Sequence, residues 1–459
     1  MSKPTGRWWQ NLDRYCWTVL IAAAMGWLFD TMDQNLYNLV RGPSLTDLLK
    51  SQYTDPAELS KAVTLSGSWI TAIFLLGWSA GGFLFGILGD RLGRMRTMVL
   101  TILIYAVFTG LSGLSTTWQM YAVMRFLTAM GVGGEWAAGA ALVAETFPAQ
   151  SRAMALGLLQ ALSAVGNMVA CLITLGLGNL QEHWRWAYFV GAAPALMVVW
   201  IRRSVHEPPQ WHEAKVSATM GRELGNIRDL FLNRVIRRNT IAAVLLATAG
   251  VGSLWGIAYF SPEMVSSELK AAHFEPARIS RLQSITFLLQ QAGAFFGAYA
   301  FAPWSQRVGR RWAFVTCFLL AWSAILAFFW GIQGSGEGAF VRSMVLAPVM
   351  GFCTLGAFAG YTVYFPELFP TRLRATGCGF CYNAARILAA AAPFALGSLR
   401  ISMGGFAQAA SVVSCVLILG FIGACLGPET RGHPLPEDAD FDPIDTPLMP
   451  KSSVTCERD

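Results

Sequence analysis

Charge is what this chain has least of. Only 13% of its 459 residues are Asp, Glu, Lys or Arg, while 54% are hydrophobic. A soluble domain carries about 25% charged residues. So little charge cannot cover a water-facing surface, and a soluble globular fold is excluded. Histidine is scarce as well: His183, His206, His212, His273 and His433 all fall in expected loops, so no intramembrane histidine relay is expected. The nine cysteines are scattered, mostly within apolar runs, and show neither a disulfide framework nor zinc spacing. Cys378 and Cys381 in "CGFC" have redox spacing, but they stand near the start of an apolar run, where small packing residues are the ordinary reading. No Ser–His–acid set, metal cluster or supported phosphate loop occurs, so no enzyme chemistry, cofactor or metal is expected.

What the chain has instead is long apolar runs. A bilayer core takes about 20 apolar residues as helix, and twelve such runs occur: 17–40, 66–89, 97–114, 118–144, 154–178, 186–201, 240–262, 283–302, 312–330, 343–364, 375–398 and 405–426. Lipid offers no hydrogen-bond partners to an open strand, so each run reads as a helix. The polar N-terminus "MSKPTGRWWQNLDRY" shows no cleavage-site pattern, and the first run reads as an uncleaved span. Seventeen Trp and 29 Phe suit aromatic belts at the membrane surface.

A charged stretch with Pro208 and Pro209 separates spans six and seven. The chain therefore divides into a six-helix bundle (1–201), a linker (202–239), a second six-helix bundle (240–426) and a tail (427–459). The acidic, proline-rich tail reads as disordered. The net charge of +7 does not mark a nucleic-acid binder, because the basic residues sit in short loops between apolar runs. Of the 34 Lys and Arg, 23 fall in the segments that share a side with the termini, 9 on the other side and 2 inside spans. That bias places both termini and the linker in the cytoplasm of a multi-pass, plasma (inner) membrane protein.

The halves repeat. "ETFPAQSRA" after span four and "ELFPTRLRA" after span ten share E-x-F-P-x-x-x-R-A at an offset of 222. "GDRLGRMR" after span two and "SQRVGRRW" after span eight are offset by 216. Repeated halves around a central site are the architecture of many secondary transporters.

In "GILGDRLGRMR", Gly86, Asp90, Arg91, Gly93 and Arg94 stand in the pattern G-x-x-x-D-R-x-G-R. This resembles the signature loop of the Major Facilitator Superfamily, and the resemblance covers about residues 15 to 427. It implies the all-α major facilitator fold, with twelve transmembrane helices in two pseudo-repeated six-helix bundles. It also implies a charge network at the cytoplasmic helix ends that holds the inner face shut. Asp90, Arg94, Glu145 and Arg152 are its candidate members, with Glu367 and Arg374 as the repeat's counterparts. Asp90 is also placed to cap span eleven. Gln306 stands where an Asp would match Asp90, so gating contacts are expected to be asymmetric. "MRFLTAMGVGGEWAAGAALVAETFPAQSRAMALGLLQ" is similar to proton-coupled organic-anion symporters, such as sialate, lactate and aromatic-acid carriers, which also tend to carry acidic residues in span one. "RRSVHEPPQW" partly resembles the post-span-six motif of sugar porters.

Charged side chains inside a bilayer cost roughly 2.5–3.5 kcal/mol on insertion scales and normally face a bundle interior or a cavity. Asp30, Asp33, Gln34 and Tyr37 share one face of span one by their spacing. Asp30, Asp33 and Glu135 are the proton-coupling candidates, with Asp33 expected nearest the solute. The alternative for either Asp is a structural pair with Arg125 or Arg386. Arg125 is read as an interface residue that snorkels to water. Arg386 reads either as a bidentate carboxylate fork or as a partner of a span-one Asp. The solute-binding candidates are Asp33, Gln34, Tyr37, Gln160, Asn167, Trp255, Tyr259, Gln290, Tyr361, Asn383 and Arg386. Together these imply a monomeric, proton-coupled importer of a small organic anion. A sugar or polyol porter, and a non-transporting receptor on the same fold, are the alternatives.

Overall fold

The computed structural model describes residues 8–441 apart from 11, 178–179, 219–222, 390–394, 397–398 and 401. Among the described residues there is no strand, and 11 helices are long and apolar enough to cross a membrane. Spans one to five are Arg14–Leu49, Pro56–Arg91, Arg94–Ser112, Trp118–Thr146 and Ala149–Leu177. Span six is broken into Leu180–Gly191 and Ala195–Ser204, with Pro194 at the break. Span seven is Arg234–Gly256, span eight Pro276–Val308, span nine Arg310–Ile332 and span ten Ala339–Tyr364. Span eleven is described as Arg374–Ala389, and span twelve as Phe406–Val413 and Leu417–Leu426 with a 3-10 turn between them. The protein is thus an all-α, multi-pass membrane protein of twelve helices in two pseudo-repeated six-helix bundles.

Most helices overrun their apolar runs, because intrahelical hydrogen bonding continues until a cap or breaker stops it. Span seven begins at Arg234, inside the stretch that hydropathy assigns to the linker. The reason is local: the Asn233 side chain accepts hydrogen bonds from the backbone N–H groups of Val235 and Ile236 at 2.8 and 3.2 Å. Span two starts the same way, with Asp55 accepting from Ala57 N–H and Pro56 in the first turn.

Small residues set the close packing within each bundle. A Cβ at Gly81 would stand 2.0 Å from Met130 O, and one at Gly133 2.0 Å from Trp78 O, so spans two and four touch backbone to backbone. Spans eight and ten repeat this, with Gly293 1.9 Å from Pro348 O and Gly351 1.9 Å from Gln290 O by the same measure. The halves meet mainly where span five packs on span eight and span two on span eleven.

The start of span one, the described linker residues and tail residues 428–441 gather at one end of the bundle, called here the terminal face. The tail departs from the disorder its composition suggests. Tyr364 Oη donates to Pro428 O, Arg374 to Pro436 O, and Asn233 Nδ2 to Phe441 O, while Arg372 pairs with Asp438 at 2.6 Å. The terminal face holds buried arginines and amides that this acidic segment satisfies, and specific partners outweigh the composition. Residues 442–459 lie outside the described residues.

Candidate functional site

A cavity of about 580 Å³ lies between the halves, on the side away from the terminal face. Tyr37, Phe74, Trp78, Trp255, Phe260 and Phe287 give it aromatic walls. Gln34, Asn35, Asn38, Gln283 and Ser284 supply amide and hydroxyl groups, and Arg41, Glu263 and Arg386 supply charge. Toward the terminal face, Trp136 and Tyr382 pack with ring centroids 4.4 Å apart. Below them Gln160 Oε1 accepts from Trp136 Nε1 at 3.3 Å and from Thr362 Oγ1 at 2.9 Å, which ties the halves together under the cavity.

Arg386 is the cavity's deepest charge. Its guanidinium carbon lies 3.9 Å from the Trp78 ring centroid and 4.0 Å from that of Tyr382, a cation–π setting. Nη1 donates to Asn383 Oδ1 at 2.7 Å, while the buried Nε has no hydrogen-bond partner among the described residues. Asp30 and Glu135 are both fully buried, and none of their four carboxylate oxygens has a hydrogen-bond partner among the described residues. The charges acting on Asp30 are those of Glu135, Asp33 and Arg386. Gly26, one turn before Asp30, makes the room for this: a Cβ there would stand 2.3 Å from Glu135 Oε1.

Asp33 is turned away from the cavity. It accepts from Thr109 Oγ1 at 2.6 Å and pairs with Arg125 at 3.3 Å inside the first bundle. The expected single face fails because the four positions spread over about 100° of helix. That arc is wide enough for Gln34 and Tyr37 to reach the cavity while Asp33 faces spans three and four. Arg125 does not snorkel. It is fully buried, bonded to Ser112, Thr109 and Thr128, and set 4.7 Å from the Tyr188 ring centroid.

Of the other solute candidates, Gln34, Tyr37, Trp255 and Arg386 line the cavity. Gln160 belongs to the tie below it. Asn167 donates to Gln291 Oε1 at 3.0 Å, Gln290 is held by Ser261 and Ala258 O, and Tyr361 donates to Leu246 O at 2.7 Å. These side chains, like Asn383, spend their polar atoms on helix contacts. The Tyr259 side chain lies outside the described residues. Sequence reasoning missed Phe74, Trp78, Trp136 and Tyr382, because an aromatic in an apolar run carries no sign of which neighbour it meets.

At the terminal face, Asp90 caps span eleven by accepting from Ala375 N–H at 3.1 Å and Thr376 N–H at 2.8 Å. Arg94 pairs with Asp90 at 3.1 Å and forks onto Glu145 at 2.9 and 3.1 Å. Besides the Asp90 cap, Arg374 to Glu145 at 2.7 Å and Arg94 to Thr371 O at 2.6 Å also cross between halves. Arg91 is exposed and donates to Leu224 O of the linker. Gly86 packs on the backbone of Ala375. In the repeat, Arg310 forks onto Glu367 at 2.9 and 3.0 Å. Arg152 stands outside the network: among the described residues it donates to Phe147 O, and its Nε has no partner there. Its counterpart acid, Glu367, is already occupied by Arg310 and Thr430.

Two further acids complete this face. Glu207 accepts from the N–H groups of Met95 and Arg96, and Glu429 from those of Arg310 and Arg311, so each closes the start of a span. Each lies against a glycine with positive φ, Gly93 at 112° and Gly309 at 93°, where a Cβ would collide with the carboxylate. The 222-residue offset that relates the E-x-F-P loops also relates Glu207 to Glu429, and was the available signal.

Two six-helix repeats, tied at one face around an intramembrane cavity, define a secondary transporter architecture. The Major Facilitator Superfamily model matches residues 25–275, and the sugar (and other) transporter model matches residues 217–439. The chain belongs to the Major Facilitator Superfamily and is a transporter of small solutes. A probable 4-methylmuconolactone transporter of Cupriavidus pinatubonensis is 30% identical over 419 residues, 90% of each chain. A putative niacin/nicotinamide transporter of Bacillus subtilis is 28% identical over 88% of this chain and 95% of its own. Among solved structures, the proton:xylose symporter XylE shares the fold, with a TM-score of 0.72 at 15% identity over 93% of this chain and 99% of that one.

Proposed function

We propose that the protein carries a small organic acid together with protons by alternating access, as a monomer in a plasma (inner) membrane with its terminal face in the cytoplasm. The observation that carries this reading is Arg386. It is a cavity-wall guanidinium with Nη1 fixed by Asn383 and, among the described residues, no carboxylate paired to it, and such a fork suits a carboxylate. The aromatic walls suit a flat, unsaturated body beyond that carboxylate. Relatives named for the transport of 4-methylmuconolactone, niacin and cis,cis-muconate support the same solute class.

Asp30 and Glu135 are the proton sites in this reading, in place of Asp33, whose oxygens are spent on Thr109 and Arg125. Two carboxylates without donors repel each other in a low dielectric, and one proton relieves that repulsion. Asp30 also acts on Arg386, so solute and proton share one electrostatic centre. Solute on Arg386 draws away the positive charge that steadies Asp30, and a proton on Asp30 frees Arg386 for the solute. Uptake of labelled acids and sugars into proteoliposomes, with and without a pH gradient, tests this. Gradient-driven accumulation of an acid is expected. Accumulation of sugars alone favours the sugar or polyol reading, for which the cavity's amide groups are the supporting observation.

A further inference from the structure

We propose that Gly82 on span two is a positioning residue for Arg386, acting across the two halves through Asn383; this rests on the carboxylate reading above. A Cβ at Gly82 would stand 1.8 Å from Asn383 Nδ2 and 2.2 Å from its Cγ. The atom it would strike is no loose end of a long side chain. Asn383 is 1% exposed and both ends of its amide are spent: Nδ2 donates to Gly379 O at 2.8 Å, and Oδ1 accepts from Arg386 Nη1 at 2.7 Å. The amide therefore sits in a notch that exists because residue 82 has no side chain. It serves there as a bracket for the arginine.

The bracket decides which donors the solute meets. With Nη1 held and the guanidinium packed on Trp78 and Tyr382, the plane of the fork is fixed where Arg386 lines the cavity. A side chain already oriented loses less freedom when it binds. Alanine at position 82 forces Asn383 out of the notch, breaks both of its hydrogen bonds and lets Arg386 turn. The other glycines of this seam differ. Gly89 would meet only Ala375 Cβ, at 3.1 Å, so alanine there disturbs the packing of spans two and eleven without touching the bracket.

The test is a double-mutant cycle in proteoliposomes, read as KM and maximal rate for nicotinate and nicotinamide, an acid and its neutral amide. Gly82→Ala and Asn383→Ala are each expected to raise KM for the acid about tenfold, the scale of one hydrogen bond to a charged group, with the maximal rate within about twofold. The double variant, in which the new methyl has room, is expected to match Asn383→Ala alone, because the two residues act through one contact. Gly89→Ala is expected to leave KM within about twofold of wild type. Additive losses in the double variant, or an unchanged KM in Gly82→Ala, overturn the positioning role. If Gly82→Ala does not fold, the comparison of Asn383→Ala with the double variant still decides. Wild type that takes up neither compound, or does not prefer the acid, overturns the carboxylate reading itself. Preference for the acid in wild type that persists undiminished in Gly82→Ala overturns the bracket alone.

Discussion

At the scale of single residues, the site rests on how each buried charge is satisfied. Arg386→Lys keeps the charge and loses the fork. KM for an acid solute is expected to rise more than tenfold, about 1.4 kcal/mol, and an unchanged KM removes the carboxylate from this position. The two span-one acids separate in the same way. Asp33 balances a fully buried Arg125, so Asp33→Ala strands a cation and is expected to cost about 3–5 kcal/mol, seen as a large fall in thermal stability in detergent. Asp30 makes no hydrogen bond, and Asp30→Asn is expected to leave the thermal midpoint nearly unchanged. It should abolish uphill, pH-driven uptake while solute counterflow persists. Uphill uptake that survives in both Asp30→Asn and Glu135→Gln would make these carboxylates structural.

At the scale of elements, helix starts are set by local caps, which the apolar runs alone do not mark. Asn233, Asp55 and Asp90 each supply the acceptor that an opening turn lacks. Asp90 differs in capping a helix of the other half, so its role depends on assembly. Glu429 gives this class a pH signature. Burial alone would raise its pKa, but the N–H groups of Arg310, Arg431 and Arg311 and the Arg310 charge outweigh that and hold it below the usual carboxylate value. A depressed pKa adds stability that is complete above the ordinary range, about pH 4.3, and is lost as pH falls through the lowered value. Thermal unfolding scanned from pH 6 downward should therefore show a shallower acid-side loss in Glu429→Gln than in wild type, and equal slopes remove the cap from the pH response.

At the scale of the whole molecule, closure of the terminal face hangs on few polar contacts between halves. Glu145 accepts from Arg94 in its own half and from Arg374 in the other. Glu145→Gln should weaken both bonds and shift the population toward a state open at this face. Cys378 is fully buried one turn after Arg374. In a chain whose other cysteines are Ser, it should react several-fold faster with an impermeant maleimide applied to the terminal face of Glu145→Gln, and an unchanged rate removes Glu145 from the gate. The same reagent fixes orientation. In intact cells it should label Asp55→Cys and leave Lys215→Cys unlabelled.

Hydropathy by itself determined the twelve-helix class, because lipid forces every span to satisfy its own backbone. The repeat offsets, a property of the chain alone, determined the two halves and the pairing of their loops. Arg386 and Asp30 were legible as residues to explain, since burying a charge is costly wherever it occurs. Which charges meet was decided only by the packed helices. Asp33 and Asp30 lie one turn apart on one helix, yet one is balanced by Arg125 while the other faces Glu135 with no donor. Periodicity places a side chain on a face to within a wide arc, and the neighbour standing opposite that arc comes from spans distant in sequence. The same limit hid Gly82: a glycine in an apolar run shows only that something approaches closely, and the tertiary structure alone names Asn383 as what does.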